Sequence, residues 1–295
     1  MIAQSFEYAA PATLEEALGL IADGERKVLA GGMSLIPLMK LRLSAPRHLV
    51  DLNFIPETSY IHSNGDLRFG AMTRHAEIAA SRDLARVPIL HDCAAGIADQ
   101  QVRNLGTIGG SIAEADPTGD WAPVLLATGA IVNTLGPGGE RSIDIAEFIL
   151  DAYTTVLQPG ELITEIAVPL QPKRSGGAYI ALKRCAPVYA TASVAVQLTM
   201  QDDQTCQDAR IYLGVLGLTA TRVAAAEEAL RRQQITGPCI QKVRAAVMDI
   251  AQPQSDMRGS AEYKRHAAGV LVSLAVDAAI KRARGQHAEV NHLYA

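Results

Sequence analysis

The chain has 295 residues, of which 48% are hydrophobic and 20% charged, with a formal net charge of −4 at pH 7. A chain this long divides into two or three lobes and buries about three quarters of its unfolded surface, so it needs neither a disulfide nor a structural metal to fold. The acidic balance argues against a nucleic-acid partner, since neutralising phosphates takes a basic face; the one basic cluster is the helix end from Lys281 to Arg284.

Thr13-Leu14-Glu15-Glu16 is a capping box, in which hydroxyl and carboxylate satisfy free amides at a helix start. The helix carries Leu14, Ala17, Leu18 and Ile21 on one face and stops near Gly24. The strand Lys27-Val28-Leu29 runs into Ala30-Gly31-Gly32-Met33-Ser34-Leu35-Ile36-Pro37, with Pro37 expected in the first turn of a helix. A strand, a glycine turn and a helix start in this order set amides and a positive dipole end against a phosphate. An ordinary connection without ligand is the other reading open to it. His48 to Leu52 reads as a strand, which makes the first lobe a small α/β unit, and Ser63-Asn64-Gly65-Asp66 marks a hairpin. Arg74 to Ala98 has helical character.

Gln101 to Thr128 reads QVRNLGTIGGSIAEADPTGDWAPVLLAT: glycines at Gly106, Gly109 and Gly110, then the acid-rich turn Asp116-Pro117-Thr118-Gly119-Asp120, then an apolar helical run. Glycines let the chain adopt left-handed or otherwise forbidden dihedrals and approach a ligand with amides pointing inward. Successive N–H groups of this kind bind an anion without any lysine. Thr107 and Ser111 flank Gly109 and Gly110 and add hydroxyls. The pattern points to a cradle for a phosphorylated cofactor, against the plainer reading of a tight turn or bulge.

Beyond it, Ala130 to Thr134 and Arg141 to Ile145 flank a second hairpin turn, and Glu161 to Pro169 reads as a strand, giving a middle lobe with antiparallel pairing. After the connection Lys173 to Gly177 come three strands, Ala178 to Lys183, Ala192 to Met200 and Ala209 to Gly217. Helices follow over Arg222 to Gln234, Ile240 to Ala251 and Ala261 to Arg284, the last with basic residues suited to its negative end and Gly285 at its stop. Gln286 to Ala295 is expected to be a loose or partner-docked tail.

AGGMSLIP and TIGGSIAEADPTGD, in this order, resemble the two flavin-binding motifs of the medium subunits of molybdenum hydroxylases, a family that includes the carbon monoxide dehydrogenase medium subunit and the flavin domain of xanthine dehydrogenase. The resemblance extends to GAMTRHAEI at Gly70 to Ile78, ELITEIAVP at Glu161 to Pro169, LKRCAPVYATASVAV at Leu182 to Val196 and DMRGSAEYKR at Asp256 to Arg265. It implies an α+β fold: a vanillyl-alcohol-oxidase (PCMH) type FAD-binding domain of two α/β lobes, plus a C-terminal domain of three antiparallel strands and helices. The implied domains are residues 1–173, with lobes about 1–55 and 56–173, then 177–285, with 286–295 as a tail.

By the same resemblance, Ala30, Gly31, Gly32, Met33, Ser34 and Leu35, together with Thr107, Gly109, Gly110 and Ser111, clasp the pyrophosphate of FAD. Asp120 matches an acidic FAD contact, or else caps the helix at Trp121. Leu162 and Ile163 match a backbone contact, or are buried strand residues. Lys183 matches a lysine near the flavin, against a solvated strand lysine, and Tyr189 matches an aromatic lying on the isoalloxazine, against a core tyrosine. Met33 stands where the family commonly has His or Gln, so histidyl attachment is impossible and the FAD is noncovalent. Cys185-Ala186-Pro187-Val188 departs from the family's basic loop.

The implied role is an electron-transfer subunit of a heterotrimer, taking electrons from a small 2Fe-2S partner and passing them to an external acceptor. A large partner with the molybdenum cofactor hydroxylates the substrate, and the expected assembly is a dimer of heterotrimers. Two rivals stand beside it: a self-sufficient flavin oxidoreductase, and an assembly subunit with empty glycine loops. The four cysteines are scattered, without metal-knuckle or cluster spacing, and are read as reduced buried thiols. No catalytic acid, base or nucleophile is assigned, and His48, His75 and His91 are taken as ordinary surface or core residues. Without a secretory pattern or membrane-length apolar run, the expected compartment is the cytoplasm.

Overall fold

The computed structural model describes residues 2–294, and three sheets organise it. The first is small and parallel, built from β1 (Glu7–Ala9), β2 (Lys27–Leu29) and β3 (His48–Asp51) in the order β1-β3-β2. Its connections are α1 (Leu14–Ile21) and α2 (Leu35–Lys40). The capping box forms as expected: Glu16 N–H donates to Thr13 Oγ1 at 3.2 Å, and the Glu16 carboxylate accepts from Ala12 N–H at 2.9 Å.

The second sheet is antiparallel and contains β4 (Ile61–Asn64), β5 (Asp66–Gly70), β6 (Ile131–Gly136), β7 (Gly139–Asp144) and β10 (Leu162–Val168), ordered β4-β5-β10-β6-β7. The short pair β8 (Ile149–Asp151) and β9 (Thr154–Thr155) forms a separate ribbon. The expected helical stretch from Arg74 is interrupted: α3 (His75–Ala80) and α4 (Ile89–Gly96) are separated by a 3-10 turn ahead of Pro88, which cannot continue a hydrogen-bonded helix. Next come α5 (Gln100–Leu105), α6 (Ile108–Glu114), α7 (Trp121–Thr128) and α8 (Ile145–Phe148).

The third sheet holds β11 (Ser175–Lys183), β12 (Ala192–Met200) and β13 (Cys206–Gly214), joined antiparallel as expected. Two edge strands, β14 (Thr221–Arg222) and β15 (Leu293–Tyr294), extend it to five. Helices α9 (Ala224–Leu230), α10 (Gly237–Ile250) and α11 (Ala261–Ala283) complete the chain. Strand alternation decides what each face touches. Ala178, Ile180 and Leu182 point to the core shared with α9–α11, whereas Tyr179 and Ala181 point to the core of the middle lobe. Both faces of β11 are therefore buried, and its run of apolar residues follows from that. The sheet is thereby seated against α4 and α7, next to the second glycine motif.

As far as Tyr294 the tail is not loose. It returns to the sheet, where Leu293 and Tyr294 pair in parallel with Leu182 and Lys183. No helix among the described residues is long and apolar enough to cross a membrane.

Candidate functional site

The two glycine motifs meet in space. A Cβ on Gly31 would lie 2.2 Å from Leu105 O and 2.7 Å from Gly106 Cα, so the first turn rests directly on the backbone entering the second. Gly110 completes the junction, since a Cβ there would come within 3.2 Å of Ala30 Cβ. Polar groups tie the same seam. Asn53 Nδ2 donates to Ala30 O at 2.9 Å, and the Arg74 guanidinium donates to Asn53 Oδ1 and Leu105 O.

Within this seam the turns behave differently. Gly32 has φ +72°, the left-handed conformation that glycine adopts without steric cost, and it swings the chain from β2 into α2. Ile36 N–H is the first to bond back, to Gly32 O at 3.0 Å. The amides of Met33, Ser34 and Leu35 meet no acceptor among the described residues, and Ser34 makes no side-chain cap. These are the orphan donors of a helix start.

Gly109 and Gly110 do not adopt the left-handed dihedrals expected from the sequence. They lie in the first turn of α6, capped by Thr107, whose Oγ1 accepts from Gly110 N–H at 3.1 Å. The adjoining donors are engaged as well: Ile108 N–H donates to Thr73 O at 3.1 Å and Gly109 N–H itself to Ala71 O at 2.9 Å. The glycines serve close approach instead, for a Cβ on Gly109 would stand 2.6 Å from Ala71. Ala71 in turn donates its N–H to Thr164 O at 2.9 Å, beside a bulge in β10 between Ile163 and Glu165. Leu162 and Ile163 are buried strand residues whose strand thus braces α6 through Ala71. Ser111 is half-buried on the first turn of α6.

Asp120 does not cap α7 with its side chain. It is buried, accepts from Tyr179 Oη, and sits 3.6 Å from Lys183 Nζ. Lys183 is not a solvated strand lysine either: it is 1% exposed and donates to Gly96 O at 2.7 Å. A buried lysine persists only where charge and hydrogen bonds compensate its lost hydration, and here Asp120 and the Gly96 carbonyl provide that. The pair joins the third sheet to α7 and α4.

Tyr189 is not a core residue: it is 50% exposed, on the loop between β11 and β12. Burial of its phenol, with the Asp116 carboxylate next in effect, pushes its pKa up. Asp116 is held by its own turn, accepting from Thr118 N–H at 2.8 Å and Thr118 Oγ1 at 2.7 Å. On the same loop Cys185 is exposed, unlike Cys93, Cys206 and Cys239, because Arg184 to Pro187 project from the end of the sheet. Of the histidines taken as ordinary, His75 is a satisfied core residue. Its Nδ1 accepts from Trp121 Nε1 at 3.1 Å, and burial, then the Arg74 and Arg103 charges, pull its pKa down to about 3.

Residues that sequence reasoning passed over are Asn53, Ala71, Thr73 and Arg74. The last three fall inside GAMTRHAEI, a matched segment to which no role was given; Asn53 carries no local signal.

Comparison with known proteins gives the family. Residues 4–171 match the family model described as FAD binding domain in molybdopterin dehydrogenase, and residues 177–279 match CO dehydrogenase flavoprotein C-terminal domain. The chain is 40% identical to the carbon monoxide dehydrogenase medium chain of Afipia carboxidovorans, covering 96% of this chain and 100% of that one. It is 36% identical to the 6-hydroxypseudooxynicotine dehydrogenase complex subunit alpha of Paenarthrobacter nicotinovorans, over 98% of this chain and 99% of the other. A solved carbon monoxide dehydrogenase structure from Hydrogenophaga pseudoflava superposes with a TM-score of 0.91 at 40% identity, covering 96% and 99% of the two chains. The fold and the paired turns define a flavoprotein class. Within it, the chain belongs to the family of FAD-binding medium subunits of molybdenum hydroxylases.

Proposed function

We propose that the abutting turns Ala30–Leu35 and Thr107–Ser111 hold the pyrophosphate of a dissociable FAD, and that the chain works as the electron-transfer subunit of a heterotrimeric molybdenum hydroxylase. The observation that carries this reading is the set of unused amides at Met33, Ser34 and Leu35 beside the dipole end of α6. These residues fit the cofactor: three amides without an acceptor among the described residues follow the turn that abuts the second glycine motif, and no lysine head is needed to hold an anion there. When bound, FAD supplies chemistry that accepts electrons singly and releases them singly or in pairs.

The chain's own residues bind, orient and shield. The first turn donates amides, the second brings a capped helix start alongside, and Ser111 adds a hydroxyl. By the same reading, the buried Asp120–Lys183 pair would set a charge toward the ring, Leu162 and Ile163 would meet the cofactor through their backbone, and Tyr189 would lie against it from the loop. Met33 has no nucleophilic nitrogen, which leaves the cofactor free of a covalent link. The 2Fe-2S clusters and molybdenum cofactor belong to the small and large partner subunits. We place the whole in the cytoplasm as a dimer of heterotrimers, with residues 1–173 serving FAD and 177–285 closing over it.

An absorbance spectrum before and after acid precipitation tests this. Yellow protein that releases about one FAD per chain into the supernatant is expected. Colourless protein that also refuses added FAD overturns it in favour of an assembly role.

A further inference from the structure

The C-terminal tail enters the region between α4 and β11, beside Lys183. From the last turn of α11, Arg282 donates to both Asp92 oxygens, at 2.5 and 2.9 Å, and to Gly177 O at 2.6 Å. The same guanidinium holds Ala288 O through Nε at 3.0 Å, which turns the tail back toward the sheet. His292 then fits against Gly96, where any Cβ would collide with its ring at 1.8 Å from Nε2. The imidazole bridges two elements: Ala181 N–H donates to Nδ1 at 3.1 Å, and Nε2 lies 2.9 Å from Asp92 O. An N–H donor on Nδ1 and a carbonyl facing Nε2 fix one tautomer, neutral with its proton on Nε2. Burial pushes the pKa of His292 down, the Asp92 carbonyl opposing and the Lys183 charge adding to the fall, consistent with a neutral ring.

We propose that residues 286–294 are a strap and that His292 is a positioning residue, which holds the end of α4 against β11 so that Gly96 O meets Lys183 Nζ and Lys183 stays beside Asp120. The chain of contacts is continuous. His292 fixes the Asp92 carbonyl and packs on Gly96, Gly96 O accepts from Lys183 at 2.7 Å, and Lys183 lies 3.6 Å from Asp120. The strap also pairs with the β11 edge at Leu182 and Lys183 themselves, covering backbone groups that would otherwise be open. That this influences the flavin rests on the function proposed above; that the strap holds Lys183 does not.

The test compares His292→Ala and His292→Gln in the full chain, freed of FAD, by amine-reactive labelling and peptide mass spectrometry. Lys264 of α11, which is also buried and is paired with Asp256 ahead of that helix, serves as the internal control. Opening of the strap in His292→Ala should speed Lys183 labelling by about tenfold or more while Lys264 stays at the wild-type rate. His292→Gln, whose amide offers a carbonyl acceptor and an NH2 donor group, should restore most of the protection. Unchanged Lys183 labelling in His292→Ala, equal acceleration of Lys264, or failure of the Gln variant to rescue would each overturn the positioning role. In the FAD-loaded complex, His292→Ala should also shift the flavin reduction potential and His292→Gln should return it toward wild type. Altered labelling with an unchanged potential would retain the strap but overturn its link to the flavin. A wild-type chain that takes up no FAD would sink the function while the labelling result stood.

Discussion

The two glycine pairs read alike in the sequence and do opposite work in the fold. At Gly31-Gly32 one glycine permits a left-handed turn and the other a close approach, and the three amides that follow are left without protein acceptors. At Gly109-Gly110 the backbone is helical, and protein acceptors already engage the N–H groups from Ile108 to Gly110. The first turn presents donors; the second lets a helix start come close enough to matter. A glycine pair therefore signals missing Cβ atoms, and only the neighbours reveal whether that freedom goes to dihedral angle or to packing.

This contrast can be broken by substitution, and the largest expected effect is at the second turn. Gly109→Ala forces a methyl against Ala71 in the core, which should cost about 3 kcal/mol and lower the apo Tm by roughly 2–4 °C per kcal/mol for a chain of this size. Its FAD affinity should fall mainly as the fold loosens. A Gly109→Ala chain with wild-type Tm would refute the packing role.

Acid should act on the same side of the seam. His75 packs against Gly106 and accepts from Trp121 only while neutral. Its pKa is lowered to about 3, so the unfolded chain, with its ordinary pKa near 6.5, binds the proton first. The stability this group contributes is fully present above about pH 6.5 and is lost as pH falls from there toward about 3, by up to roughly 1.4 kcal/mol per unit. Denaturant unfolding at several pH values should show a loss of about 2 kcal/mol by pH 5 that His75→Gln does not share.

Gly32→Ala should separate affinity from stability. Holding alanine at a left-handed φ costs about 1–2 kcal/mol, less than expected for Gly109→Ala, yet the turn carrying the free amides is the one distorted. FAD affinity by titration should drop more for this variant than its Tm predicts, and the reverse ranking would contradict the division of labour. Thr107→Ala removes the α6 cap, and a Tm loss equivalent to about 1 kcal/mol is expected, with Thr107→Ser near wild type. The smallest change belongs to Ser111→Ala: no measurable shift in Tm, and a loss in FAD affinity of about tenfold or less for one hydroxyl donor.

What the sequence determined by itself is local. The Thr13 box, the hairpin at Gly65, the three long strands of the third sheet and the order of the two glycine motifs depend on residues within a few positions of one another. Periodicity and turn chemistry register such features directly. Membership of the flavoprotein family was legible for the same reason, since its motifs are contiguous.

The tertiary structure decided which polar groups find partners. Asp120 stands where a helix cap is expected, but Tyr179 and Lys183, some sixty positions away, take its carboxylate instead. Lys183 looks like a solvated strand lysine until α4 brings Gly96 O to it and β15 covers its edge. Cys185 and Tyr189 are exposed because their loop projects beyond the sheet, which no count of neighbouring residues reveals. The tail carries little pattern of its own; Asp92, Ala181 and Arg282 give it a place. Burial and hydrogen-bond satisfaction belong to the assembled neighbourhood rather than to the residue, and that is why sequence located the two glycine turns while only the fold showed which of their amides lack protein acceptors.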